Sequence, residues 1–231
     1  MIEARNLTYS YPSGVPALTD VSFRLEDKRR CALVGANGAG KSTLISLLCA
    51  LEFPQGGSIV VDGVPIDKAH AADARAKIGM VFQNPDDQLF MPTVRDDVAF
   101  GLKKRGLSRA EEAEKVDAIL NGMGIAHLKD RPPYRLSGGE KRQVALAAVL
   151  VMEPKMLLMD EPTSFLDPRA RRSFLAQMKE LDVGMLVATH DLPYAQAFAD
   201  EVLVLKEGRL LVQCGPERLS DEALLSQALL L

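Results

Sequence analysis

The chain has 231 residues with a formal net charge of −3, so it carries no basic surplus of the kind a nucleic-acid partner requires. With 47% hydrophobic and 26% charged residues it has the composition of a globular protein long enough to bury the core of one large α/β domain. Cys31, Cys49 and Cys214 are odd in number and no two lie close together in the sequence, which fits a reducing compartment with no disulfide frame and no zinc site. The start, Met1 to Asn6, lacks the apolar core of a signal peptide, and the longest apolar run, Val144 to Met152, is far short of the roughly 18 residues of a membrane span. This predicts a cytosolic chain whose membrane role, if any, passes through a partner.

Residues 2–9 and 19–25 read as strands on either side of Tyr11-Pro12-Ser13-Gly14. Val21, Phe23 and Leu25 alternate with Ser22 and Arg24, a half-buried pattern. Arg30 to Val34 reads as a buried strand. It runs into Gly35-Ala36-Asn37-Gly38-Ala39-Gly40-Lys41-Ser42-Thr43, which fits G-x-x-x-x-G-K-[ST], and an apolar helix, Leu44 to Leu51, follows. Strand, glycine loop and helix together make a phosphate cradle. The glycines let successive N–H groups point inward, and the helix N-terminus adds partial positive charge. Lys41 is placed to reach the β- and γ-phosphates of a nucleotide, and the Ser42 hydroxyl to bind Mg²⁺.

Pro54-Gln55-Gly56-Gly57 breaks the chain. Ser58–Val61 and Lys77–Phe82 read as strands around an Ala-rich helical stretch, 69–76. The character changes at Gln83 to Gln88. From about Thr93 to Met152 the pattern is helical, with helices near 94–103, 108–122 and 139–152 and a connector at Arg131-Pro132-Pro133. Strands return at Met156–Met159, Gly184–Ala188 and Val202–Leu205, with helices near 168–181 and 191–199. A short tail helix, Asp221 to Leu231, has leucines that could pack on this chain or on a partner. The alternation predicts a single α/β domain with a mainly parallel sheet. Its core is 1–84 and 155–231, and a helical subdomain, 85–154, is inserted into it.

Two further stretches carry chemistry. Met156-Leu157-Leu158-Met159-Asp160-Glu161 is an apolar strand ending in two acids. Asp160 is placed to help hold Mg²⁺, and Glu161 to polarise an attacking water. Leu136-Ser137-Gly138-Gly139-Glu140-Lys141-Arg142-Gln143 opens a helix with a capping serine and a bare N-terminus, a second anion site. One nucleotide does not need two cradles from one chain. The economical reading is a head-to-tail homodimer in which each copy completes the other's site.

At these residues the chain resembles the ABC-type ATPases. Leu136-Ser137-Gly138-Gly139-Glu140 is similar to that family's signature, and the resemblance covers essentially the whole chain. It implies a P-loop NTPase of ABC type, with N-terminal antiparallel β strands and an inserted α-helical subdomain, that hydrolyses ATP with Mg²⁺. Residue by residue it implies that Tyr11 stacks on adenine and that the loop from Gly35 to Thr43 holds the phosphates. Ser137, Gly138 and Gly139 would contact the twin's nucleotide. Gln83 would touch Mg²⁺ and the water, Glu161 would be the general base, and His190 would contact the γ-phosphate. Ser164-Phe165-Leu166-Asp167 matches the D-loop, although a smaller residue is commoner at Phe165. His70 and His127 fit no metal spacing and read as structural or surface residues.

Within the family, Tyr9-Ser10-Tyr11-Pro12, Val81 to Phe90, Met91-Pro92-Thr93-Val94 and Asp96 to Gly101 resemble the ATPases of energy-coupling factor (ECF) importers. That likeness implies a peripheral subunit on the cytoplasmic face of the cell membrane. Its partners would be a membrane coupling subunit and a substrate-binding membrane subunit. Intact motifs favour a system with a single ATPase, for cobalt or nickel, with biotin as the alternative cargo. A soluble ABC ATPase outside transport is a further alternative. Asp86, Asp87, Asp96 and Asp97 read as an acidic patch that could meet basic helices of the membrane protein.

Overall fold

The structure, a computed structural model, describes residues 1–103, 105–164 and 166–230. Its strands are β1 (Ile2–Ser10), β2 (Pro16–Leu25), β3 (Arg30–Val34), β4 (Gly56–Val61), β5 (Val64–Pro65), β6 (Ile78–Val81), β7 (Met156–Asp160), β8 (Gly184–Ala188), β9 (Glu201–Lys206) and β10 (Arg209–Cys214). Its helices are α1 (Lys41–Leu48), α2 (Ala71–Lys77), α3 (Val94–Phe100), α4 (Arg109–Gly122), α5 (Gly138–Leu150), α6 (Pro168–Glu180), α7 (Leu192–Phe198) and α8 (Glu222–Gln227).

The strands form two sheets, one in the order β2-β1-β4-β5 and one in the order β10-β9-β3-β8-β7-β6. The first is antiparallel throughout. In the second, β9, β3, β8, β7 and β6 run parallel, and β10 closes the edge antiparallel to β9. Burial separates the two sheets as their sequences do. β8 is buried at every residue, as expected for a strand covered on both faces. β2 alternates, with Val21, Phe23 and Leu25 inward.

One face of the parallel sheet packs Leu33, Leu158 and Leu186 against Leu44, Ile45 and Leu48 of α1 and the inner side of the antiparallel sheet. The other face packs Leu157, Met159 and Val187 against Val144 and Leu146 of α5, Phe174 of α6 and Phe198 of α7. The inserted helical block therefore shares a core with the sheet through α5. Of the tail leucines, Leu224 and Leu225 of α8 pack on this chain, buried against Ala32, Val34, Val202 and Val204, whereas Leu229 is 56% exposed and Leu231 lies outside the described residues. No helix among the described residues is long and apolar enough to cross a membrane.

The strand at β10 is additional to the expected elements. It returns from β9 through Glu207 and Gly208, both at positive φ (47° and 76°), the backbone of a two-residue hairpin turn. β4 leaves the parallel set and pairs with β1, Ile2 opposite Val61.

The four aspartates do not form one patch, which corrects the expectation for that cluster. Asp97 faces inward from α3 and is 4% exposed; its Oδ1 accepts the N–H groups of Phe90 and Met91, each at 3.0 Å. Asp96 sits at the start of α3, where it accepts the Thr93 hydroxyl at 2.6 Å. Asp86 pairs with Lys141 at 2.6 Å. Burial pushes the Asp97 carboxyl up, and the two backbone N–H groups oppose the shift. Asp97→Ala would leave the part-buried N–H groups of Phe90 and Met91 without their acceptor. We expect it to cost about 2–3 kcal/mol, read as a drop in thermal midpoint. A midpoint within error of the parent would mean that water replaces the carboxylate there.

Candidate functional site

The loop between β3 and α1 is shaped by what its glycines avoid. Gly40 has φ +102°, and a Cβ there would lie 2.8 Å from both the Ala17 carbonyl oxygen and Leu18 Cδ2. A Cβ on Gly35 would lie 2.5 Å from the Leu205 carbonyl oxygen. Chain from β2 and β9 thus presses on the loop from outside and holds its curve. No side chain caps α1, and no acid sits in its first turn. Its first N–H groups are left for an external anion. Lys41 is folded under the loop, with Nζ donating to the Gly35 carbonyl at 2.7 Å and the Ala36 carbonyl at 3.2 Å. Burial lowers its pKa, while the nearby Glu161 and Asp160 pull it back up.

The acid pair lies across from this loop because β7 and β3 both border β8 in the parallel sheet. Ser42 Oγ donates to Asp160 Oδ2 at 2.6 Å. A hydroxyl and a carboxylate thus already converge beside the phosphate cradle. That is the donor set a hard cation such as Mg²⁺ takes alongside phosphate oxygens, so these residues fit the metal. Glu161 stands at φ 47°, a left-handed backbone fixed by its N–H donating to the Ala188 carbonyl at 2.9 Å. Its Oε1 is 2.8 Å from His190 Nδ1, and its Oε2 accepts the Thr189 hydroxyl at 3.3 Å.

A cleft of about 410 Å³ collects Tyr11, Lys41, Ser42, Gln83, Asp160 and Glu161, along with the loop glycines Gly38 and Gly40. Asn37 and Thr43 also line it. Tyr11 is 44% exposed; its hydroxyl is 2.7 Å from Thr43 Oγ1 and its ring packs edge-on against Tyr9. A flat ring held at a cleft mouth in this way can stack on a base. His190 lies in an adjoining depression with Thr163, Ser164, Arg171 and Asp191, its side chain 68% exposed, and touches the cleft through Glu161. Asp167 caps α6 by accepting the Arg169 and Ala170 N–H groups. Phe165 lies outside the described residues.

Ser137, Gly138 and Gly139 are not among the residues lining this cleft. Ser137 is the exposed N-cap of α5, in a reciprocal capping box with Glu140, whose carboxyl the Ser137 N–H and hydroxyl hold below its ordinary pKa. A Cβ on Gly138 or Gly139 would meet nothing within 4 Å. Two glycines at the start of a helix weaken it, and no packing contact among the described residues requires them.

Two residues without a role in the sequence reading belong to this neighbourhood. Thr189 supports Glu161, and Arg142 holds the backbone at Gln83. The Gln143 side of the signature stretch gave no hint of the Arg142 contact, because its partners are carbonyl oxygens that any residue would supply.

A strand-loop-helix cradle beside a strand-end acid pair, with a helical block between β6 and β7, defines a P-loop nucleotide-hydrolysing domain of the cassette type. Residues 18–164 match the family described as ABC transporter. The energy-coupling factor transporter ATP-binding protein EcfA of Methanothermobacter thermautotrophicus is 42% identical over 96% of this chain and 73% of its own length. Among solved structures, cbiO1 of Clostridium perfringens, part of the ABC transporter complex cbiONQ, superposes with a TM-score of 0.89 at 38% identity. That alignment covers 98% of this chain and 93% of the other. An ATP-binding cassette solved as a dimer in a post-hydrolysis state with ADP and Pi gives 0.82 at 27% identity, over 94% and 99% of the two chains. The chain belongs to the ABC transporter ATP-binding family, and it is an ATPase.

Proposed function

We propose that this chain is the ATP-hydrolysing subunit of an ECF-type importer, working as a head-to-tail homodimer on the cytoplasmic face of the membrane. The observation that carries the reading is the position of Ser137, Gly138 and Gly139. Exposed Ser137, in its capping box with Glu140, and the side-chain-free Gly138 and Gly139 open α5 outside the chain's own cleft, where a second copy could present its bound phosphates.

In this reading the loop Gly35–Thr43 wraps the phosphates, Lys41 swings from its two loop carbonyls to the β- and γ-oxygens, and Tyr11 stacks on the base. Ser42, Asp160 and Gln83 would hold Mg²⁺, which neutralises charge on the phosphate oxygens when bound. Glu161 accepts a proton from water as the water attacks the γ-phosphorus and the bond to the β–γ bridging oxygen breaks, leaving ADP and phosphate, with His190 and Thr189 fixing the direction of its carboxylate. Both subunits contact the γ-phosphate only when the dimer is closed, so ATP favours closure and its loss favours opening.

The membrane coupling subunit would sit on exposed apolar side chains: Leu51 and Phe82, which line a shallow groove with Cys49, Arg75 and Met80, and Phe90 and Phe100 of the helical block. Phe90 and Phe100 pack edge-on against each other with centroids 5.0 Å apart. A substrate-binding membrane subunit would complete the transporter. The cargo reading is a transition metal, cobalt or nickel, on the ground that every motif residue is intact and one ATPase can serve both sites. Biotin is the second reading. In affinity purification from detergent-solubilised membranes we expect a polytopic membrane protein to co-purify with the tagged chain. Cells carrying the whole set should accumulate radiolabelled cobalt or nickel over biotin. Recovery of the chain with no membrane protein, or with ribosomes or DNA, would place it outside transport.

A further inference from the structure

The segment after β6 is fastened to the first two turns of α5. Arg142 is 2% exposed, and its Nη1 and Nη2 donate to the Phe82 and Gln83 carbonyl oxygens, each at 2.6 Å. Gln88 adds a second tie: its Nε2 donates to the Ala145 carbonyl at 2.7 Å, and its Oε1 accepts the Phe82 N–H at 3.1 Å. The Asp86–Lys141 pair is a third.

Arg142 is the unusual member. It makes no ion pair among the described residues, and its Nε has no hydrogen-bond partner. Burial alone moves its pKa, downward. A desolvated guanidinium without a counter-charge is expensive to keep. Its planar fork holds the two carbonyls through two separate nitrogens in a fixed geometry, which the single nitrogen of a lysine at the same position does not reproduce.

We propose that Arg142 is a positioning residue that makes the reach of Gln83 into the phosphate cleft follow the Ser137 end of the same helix. Gln83 faces the chain's own nucleotide. Ser137 faces the twin's, a placement that rests on the head-to-tail reading above. A rigid tie between them links the two sites: seating α5 on the twin's nucleotide sets Gln83 over the chain's own. This gives the helical block a named contact through which the two hydrolysis sites are coupled.

The test is a double-mutant cycle on ATP hydrolysis in the full chain. Arg142→Lys should lower kcat about tenfold and bring the ATP dependence close to non-cooperative, with ATP affinity of the isolated chain unchanged. In a Gln83→Ala background the same change should cost less than about twofold, because the residue it positions is gone. A merely structural role would give equal losses in both backgrounds, and that result overturns the proposal. Should Arg142→Lys fail to fold, Gln88→Leu cuts the second tie without stranding a charge and should show the same dependence on Gln83. Equal losses in a protein whose Glu161→Gln form dimerises with ATP remove Arg142's role alone. A Glu161→Gln form that stays monomeric removes the head-to-tail reading itself.

Discussion

Glu161→Gln is expected to lower ATP turnover about 10³-fold while leaving ATP binding intact, within the range that loss of a positioned base produces. The substitution keeps the shape of a side chain that is 13% exposed and held on both oxygens. A glutamine oxygen can still accept the Thr189 hydroxyl or a His190 N–H, so the local frame survives. What disappears is the lone pair basic enough to take a proton from water. Glu161 also stands in a left-handed backbone that a non-glycine residue adopts at a cost. The Ala188 carbonyl fixes that conformation whatever the side chain. Binding without hydrolysis should therefore accumulate the closed state, visible as an ATP-dependent dimer in size-exclusion chromatography. Turnover at the native rate would remove Glu161 as the base and return the question to His190. With ring exposure of 68% and a place outside the nucleotide cleft, His190 is badly sited for that work alone.

Most of the residues that the structure gathers into the candidate cleft were legible in the sequence. The glycine loop, Ser42 and Asp160 could be read because their spacing is tied to a strand and a helix whose apolar pattern is unambiguous. The neighbourhood of Glu161 was partly readable. The acid itself ends an apolar strand, but its contact with His190 joins two strand ends through sheet order, and sheet order is not written locally. Asp97 was misread for a related reason. Its neighbours Asp86, Asp87 and Asp96 are polar, so composition pointed outward. Its burial comes from two N–H groups at Phe90 and Met91 that turn back over α3. Arg142 left no trace, since its acceptors are backbone. The hairpin into β10 was signalled only by Glu207-Gly208, a short cue beside an edge strand that is nowhere fully buried.

Gly139→Asp is expected to abolish hydrolysis without harming the fold. A Cβ at Gly139 meets nothing within 4 Å, and position 139 lies in the first turn of α5. There an aspartate replaces a poor helix former and complements the helix dipole, with a gain of about 0.3–1 kcal/mol. Stability and activity should move in opposite directions, because the same carboxylate would face the twin's γ-phosphate. Lys41→Ala should be inactive for the complementary reason, since the cradle loses its cation. Mixing the two inactive proteins then decides how the site is built. In a mixed dimer one site combines both lesions. The other combines the intact loop of the Gly139→Asp chain with the intact Ser137 end of the Lys41→Ala chain. Random pairing makes half the dimers mixed with one sound site each, so the mixture should recover up to about a quarter of native activity. A site contained in one chain would stay dead in every mixture. Persistent inactivity after the subunits are shown to exchange would therefore mean that Ser137, Gly138 and Gly139 do not serve a neighbour's nucleotide.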